Sequence, residues 1–206
     1  MKKKINPKMM AQALRHLRRQ EPGFSELIRQ FPRCPLDRPQ TDLFDTLVSS
    51  IVGQQLSVAA AHTIGSRLLS ACNKSRLEPA AITALSEQQC RSVGLSAAKT
   101  RFIKGLAQAR LDGRLNFRQL AQWDDDAVIE QLVSLPGVGV WTAQMFLMFG
   151  LRRPDIAAPA DVGLQRGMQM LCELPDRPDA ETFMDIAASW RPYRSVASWY
   201  LWRLAG

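Results

Sequence analysis

Leu135-Pro136-Gly137-Val138-Gly139-Val140-Trp141-Thr142-Ala143 interrupts an otherwise helical pattern with a proline and two glycines in four residues. Pro136 fixes φ and has no N–H to donate, so a helix arriving from upstream stops there. Gly137 and Gly139 tolerate positive φ and let another backbone come close. Before the turn, Ala127, Val128, Leu132 and Val133 give an apolar helical face; after it, Trp141, Met145 and Met148 recur at helical spacing. The reading is helix, tight glycine turn, helix. Backbone N–H groups are left exposed where the second helix begins, and such a start favours an anion.

The rest of the chain also reads as helix. Apolar spacing and breakers predict helices over 7–20, 23–30, 42–53, 57–72, 79–84, 86–92 and 96–112. Further helices are predicted from Asp124-Asp125-Asp126 into Leu135, and over 141–150, 161–172, 181–190 and 195–204. Thr41 or Asp42 caps the helix at 42, and Ser57 caps the one at 57. Pro32, Pro35 and Pro39 make 31–39 a loop. Val93-Gly94-Leu95-Ser96 is a weaker echo of the glycine turn. No alternating apolar and polar run is long enough for a strand, so the fold class is all-α.

Lys and Arg number 27 against 19 Asp and Glu, a net charge of +8, which points to nucleic acid or an anionic membrane. Nucleic-acid phosphate is the anion that suits the exposed amides of the turn. No apolar run reaches the roughly 18 residues of a membrane span. The start MKKKINPKMMAQALRHLRRQ lacks the apolar stretch of a secretory signal, so the cytoplasm is the expected compartment. Lys2, Lys3 and Lys4 read as a disordered tail of weak electrostatic attraction. Cys34, Cys72, Cys90 and Cys172 are too scattered for a zinc or iron–sulfur site and fit a reducing compartment. His16 and His62 are too few for a histidine-rich metal site.

Asp161, after Ala158-Pro159-Ala160, opens the helix that begins Val162-Gly163-Leu164. Its simplest role is an N-cap worth ~1 kcal/mol. The same backbone donors favour the charged form of a carboxylate, which suits a cation-like transition state, so cap and catalyst are compatible. Trp190 and Trp199 read as core. Trp199, Tyr200 and Trp202 cannot all face one core from a short helix, so one of them lines a cavity, where an aromatic wall suits a flat or cationic ligand. Gln54 and Gln55 interrupt an apolar helix, either as an exposed turn or as side chains offered to DNA bases. Arg191, Arg194 and Arg203 form either a solvated face or a grip on phosphates.

Three segments together resemble the helix–hairpin–helix DNA glycosylases with a Gly/Pro-rich loop and a catalytic aspartate, nearest the bacterial 3-methyladenine DNA glycosylase II type. They are Ile51-Val52-Gly53-Gln54-Gln55-Leu56-Ser57-Val58, the 135–143 turn with Asp161 downstream, and Trp190-Arg191-Pro192-Tyr193-Arg194-Ser195 leading to Trp202. They span 42 to 204. The resemblance implies a single domain over 1–206 with two all-α lobes and the active-site cleft between them. One lobe is a six-helix barrel of about 42–155; the other joins 1–41 to 156–206. The chain has no room for the extra N-terminal β domain of the larger relatives.

The resemblance makes Asp161 catalytic and Trp202 a base-pocket aromatic. Trp141 stands where bifunctional members carry a Schiff-base lysine, which implies a monofunctional enzyme that does not cut the strand. Trp141 and Met145 are expected to line the base pocket with Trp202, Met145 in place of a tyrosine. Gln55, or Leu56, fills the gap left by the extruded nucleotide, and Gln54, Gly137, Gly139 and Arg194 contact DNA. A monovalent cation, Na+ or K+, is expected on the main-chain carbonyls of Val133, Leu135 and Val138. No cofactor and no iron–sulfur cluster are expected. The implied partner is double-stranded DNA with alkylated purines, bound by a monomer in base excision repair. The rivals are a non-catalytic DNA-binding module and a glycosylase for uracil, hypoxanthine or an ethenoadduct.

Overall fold

The computed structural model describes residues 3–38 and 42–206, and every regular element among them is helical. The helices are α1 (Pro7–Gln20), α2 (Gly23–Gln30), α3 (Leu43–Gly53), α4 (Val58–Ala71), α5 (Pro79–Ala84), α6 (Glu87–Ser92) and α7 (Ala97–Leu111). They continue with α8 (Phe117–Leu120), α9 (Asp125–Val133), α10 (Val140–Met145), α11 (Val162–Leu171), α12 (Ala180–Ala188) and α13 (Arg194–Ala205). A 3₁₀ turn occupies Pro35–Asp37, and α10 runs on into a π turn at Phe146–Gly150.

Polar caps set many of the starts. Asn6, Asp42, Ser57, Ser96, Asn116, Asp124, Asp161 and Asp179 each accept a first-turn backbone N–H through the side chain. Ser86 and Gln89 form a reciprocal capping box at α6. Each cap satisfies a donor that the helix itself leaves unpaired. Of the two caps expected for α3, Asp42 serves; Thr41 lies outside the described residues. So does Lys2 of the expected tail, while Ile5 is already buried and its N–H donates to the Arg152 carbonyl at 2.9 Å.

Two compact units emerge. One is Gln40–Phe146; the other joins Lys3–Pro39 to Leu147–Gly206. The division falls at Phe146, where α10 passes into the π turn. In the first unit α7 packs against α3, α5 and α6. Leu47, Val48, Ile51, Leu68, Ile82 and Ile103 are buried there. In the second unit α11 and α13 make the most extensive helix pair. Phe24 of α2 meets Trp190 and Tyr200 edge-on, with centroids 5.3 and 6.4 Å apart. The Tyr200 hydroxyl donates to the Phe31 carbonyl at 3.2 Å, so this buried ring keeps a partner for its polar end.

The structure departs from the sequence reading in a few places. Helix α8 has four residues, too few to show a period, although Asn116 caps it. The proline-rich loop holds one 3₁₀ turn because Pro35 sits first in it, where no N–H is needed. The expected helix over 141–150 widens to π geometry at Phe146. Val133, expected on the apolar face of α9, is 40% exposed, while Val128 and Leu132 carry the burial.

Candidate active site

The loop before α11 closes on itself. The Asp161 N–H donates to the Ala158 carbonyl at 2.9 Å, and Gln165, one turn into α11, returns its side-chain amide to the Pro159 carbonyl at 2.8 Å. Asp161 is therefore delivered at a fixed place at the start of α11. One of its carboxylate oxygens, Oδ1, accepts the Leu164 N–H at 2.8 Å and the Trp202 indole N–H at 3.0 Å. Two donors on one oxygen fix the rotation of the carboxylate. Trp202 is half-buried on α13, and Phe149 stacks on it at 5.8 Å and 28°. Gly163 makes room for this: a Cβ there would lie 3.0 Å from Trp202 Cδ1 and 3.1 Å from Asp161 Oδ1. A carboxylate, an indole and a supporting ring are thus assembled from α11, α13 and the π turn. The sequence reading paired Asp161 with Trp202 only through the resemblance, and it missed Phe149 and Gly163.

Trp190 and Trp199 are buried, as expected of core residues. Trp202 is the aromatic of the C-terminal helix that instead faces a functional group.

Arg194 requires a correction. Expected to reach DNA, it is 9% exposed and grips Asp155: Nε donates to Oδ1 at 2.7 Å and Nη2 to Oδ2 at 3.0 Å. Nη2 also donates to the Asp155 carbonyl at 3.0 Å. A guanidinium committed in this fork geometry is a structural clamp and leaves the list of phosphate ligands. Beside it, the Ser195 hydroxyl donates to the Arg153 carbonyl at 2.6 Å and accepts the Ile156 N–H at 2.9 Å. Together Arg194 and Ser195 staple the 153–156 loop to the start of α13. Of the other arginines in that cluster, Arg191 reaches Asp155 at 3.2 Å from a largely exposed position, and Arg203 lies over the Trp199 ring at 5.2 Å. Arg194→Met is expected to cost about 1–2 kcal/mol, less than a lone buried pair, because Arg191 still faces Asp155. Denaturant melts of the two proteins check it.

The glycine turn belongs to the other unit. Gly137 has φ +81°, and a Cβ on it would meet the Phe102 ring at 2.1 Å, so only glycine fits. The neighbour is a ring of α7 rather than the backbone that the sequence suggested. Gly139 differs: its φ is −92° and open space surrounds it. It serves as the N-cap of α10 and has no side chain to accept a first-turn N–H. Gln54, expected to offer its side chain to DNA, is turned inward. Its amide nitrogen donates to the Gly137 carbonyl and to Thr142 Oγ1, both at 3.0 Å. Gln55 and Leu56 are exposed, and Gln55 has φ +56°, a left-handed conformation uncommon away from glycine. Trp141 is half-buried and Met145 buried.

Among the described residues no group of His, Cys, Asp and Glu could hold a metal ion. A cation at the turn would rest on main-chain oxygens. The Leu135 carbonyl there accepts the Val138 N–H at 3.1 Å, and among the described residues no such turn bond reaches those of Val133 and Val138. Hard carbonyl oxygens at the negative end of α9 suit a monovalent cation. The cysteines are free thiols; burial pushes Cys34 up to about 12 and Cys172 up to about 11, so neither supplies a thiolate nucleophile at neutral pH. No helix among the described residues is long and apolar enough to cross a membrane.

Comparison with known proteins adds to this geometry. The sequence profile described as "HhH-GPD superfamily base excision DNA repair protein" matches residues 48–192. A putative DNA-3-methyladenine glycosylase of Bacillus subtilis is 30% identical over 167 residues, covering 78% of this chain and 58% of that protein. DNA-3-methyladenine glycosylase 1 of Schizosaccharomyces pombe is 30% identical over 162 residues, covering 78% and 71%. This chain thus spans less than two thirds of the Bacillus protein's length. Among solved structures, the S. pombe 3-methyladenine DNA glycosylase in complex with abasic DNA has a TM-score of 0.85 at 26% identity, covering 93% of this chain and 95% of that one. A DNA-3-methyladenine glycosidase of Bacillus halodurans has a TM-score of 0.71 at 37% identity, covering 82% and 78%.

Proposed function

We propose that this chain, which belongs to the HhH-GPD superfamily of base excision DNA repair proteins, is a monofunctional DNA glycosylase for alkylated purines of the 3-methyladenine and 7-methylguanine type. The observation that carries the reading is the Asp161–Trp202 pair, a carboxylate fixed by the edge N–H of an indole. A phosphate-binding module has no use for either. The partner is double-stranded DNA, the acting form a monomer, and the compartment the cytoplasm.

The turn at Gly137 and Gly139 offers backbone N–H groups to a DNA phosphate, a contact that positions without reading sequence. The damaged nucleotide rotates out of the stack at a cost of a few kcal/mol, less for a poorly stacked lesion. Gln55, with Leu56 beside it, fills the gap. Trp202 stacks on the flipped base, whose positive charge is drawn to the indole face.

Alkylation at N3 or N7 leaves the purine cationic, so it departs as a neutral base without being protonated. The C1′–N bond breaks with its electron pair going to the ring nitrogen, and the sugar becomes oxocarbenium-like. Asp161 stabilises that charge. A water oxygen then bonds to C1′ and gives up its proton towards Asp161. The products are the free base and an abasic site. Trp141 in place of a lysine leaves no amine there to form a Schiff base, so the strand stays intact. A monovalent cation on the Val133, Leu135 and Val138 carbonyls would add positive charge at the phosphate contact.

The test is incubation with methylated duplex DNA. The reading expects free 3-methyladenine and 7-methylguanine in solution and strand breaks only after alkali. Salt-sensitive DNA binding with no base released would overturn it in favour of a binding module. Release of uracil, hypoxanthine or an ethenoadduct instead would move the substrate class.

A further inference from the structure

We infer that Lys99 is a positioning residue that locks the Gln55–Leu56 turn to the 136–139 hairpin and thereby governs extrusion of the nucleotide from duplex DNA. The inference deepens the glycosylase reading and rests on it.

The lock is built within residues 42–146. Lys99 Nζ donates to the Val52 carbonyl at 2.7 Å and to the Gln54 carbonyl at 2.8 Å. These are carbonyls at the C-terminal end of α3, where a cation also opposes the helix dipole. The next residue is Gln55, in its left-handed conformation. For a non-glycine residue that conformation is strained and persists only where surrounding contacts hold it. The ammonium fixes the backbone immediately before it. Desolvation pulls the Lys99 pKa below the ordinary lysine value, which fits a side chain turned from water onto the chain.

The same segment is tied to the hairpin. Gln54, whose carbonyl Lys99 holds, sends its side chain to the Gly137 carbonyl and Thr142 Oγ1. Thr142 is buried, so this bond is sheltered from water. Phe102, three residues after Lys99 on α7, is the ring that lies against Gly137. Helix α7 therefore touches the turn with a charge and the hairpin with a ring, and Gln54 closes the circuit. The turn offers the gap-filling residue and the hairpin holds the phosphate. Extrusion requires both at a fixed separation, whereas cleavage of an already unstacked nucleotide does not.

The test compares wild type, Lys99→Met and Lys99→Arg on methylated duplex and methylated single-stranded DNA, with single-turnover release of 3-methyladenine as the readout. Lys99→Met keeps an unbranched side chain, one atom shorter, and removes the charge. It is expected to slow release from duplex by about tenfold and from single strands by less than about twofold. Affinity for undamaged duplex should stay within about threefold, since the hairpin amides remain. Lys99→Arg keeps a cation and is expected to restore most of the duplex rate, which also separates the role of the charge from a general loss of fold. Equal loss on both DNAs in both variants, or no loss on duplex, overturns the inference. If wild type releases no base from either DNA, it is the glycosylase reading that has failed.

Discussion

Asp161→Asn is expected to lower release of alkylated purines from duplex DNA by at least about 100-fold, the scale of losing a preorganised electrostatic contact to the transition state. The substitution is chosen for what it leaves in place. Asparagine caps a helix as well as aspartate does, so the Leu164 N–H keeps an acceptor and α11 keeps its start. The Trp202 indole N–H keeps one as well. Stability should change by less than about 0.5 kcal/mol. DNA affinity should change little, because the phosphate contacts are proposed to lie with the hairpin. Only the negative charge is removed. Asp161→Ala removes the cap too and should cost a further ~1 kcal/mol of stability. Thermal melts, duplex affinity and base release measured on the three proteins separate the cap from the chemistry.

Gly167→Ala is expected to be the most damaging small substitution for the fold. A Cβ at Gly167 would lie 2.3 Å from the Leu201 carbonyl oxygen and 2.7 Å from its carbon. These are backbone atoms of α13, so no side chain can rotate aside; α11 and α13 must separate. Overpacking of this kind costs about 3 kcal/mol. For a chain of this size that lowers Tm by roughly 10 °C. The damage reaches the site, since α11 begins at Asp161 and Trp202 follows Leu201 directly. Base release should fall even below the new melting point. Gly65 supplies the control: it sits in α4, where an added Cβ would have nothing within 4 Å, and Gly65→Ala should be neutral or stabilising by up to ~1 kcal/mol. Calorimetry on both variants decides; a Gly167→Ala protein that melts like wild type would mean the helices separate at little cost.

The helices were legible because their signals are local. Caps such as Ser57 and Asp124, and the stop at Pro136, act within one turn of chain. Asp161 was legible for the same reason, as a cap, and the resemblance supplied its chemistry. What could not be read was the partner of each polar group across long separations. Arg194 looks like a surface cation until Asp155, 39 residues away, is placed beside it. Gln54 looks like a DNA contact until its amide is found on Gly137, 83 residues away. Lys99 carries no signal, being one basic residue among 27. Glycines divide the same way: the spacing marks both Gly137 and Gly139, but the positive φ and the Phe102 ring distinguish the one that must be glycine. Gly163 and Gly167 sit in a helix where glycine is unfavourable, and that was the signal available for their close contacts.

Asp161 is proposed to drive hydrolysis of the bond between an alkylated purine and its sugar. The most direct test is to quantify free 3-methyladenine released from one methylated duplex by wild type and by Asp161→Asn at matched occupancy. Wild type is expected to release the base and leave an unbroken abasic strand until alkali is added, and the variant to release almost no base. Equal release by the two proteins would contradict it.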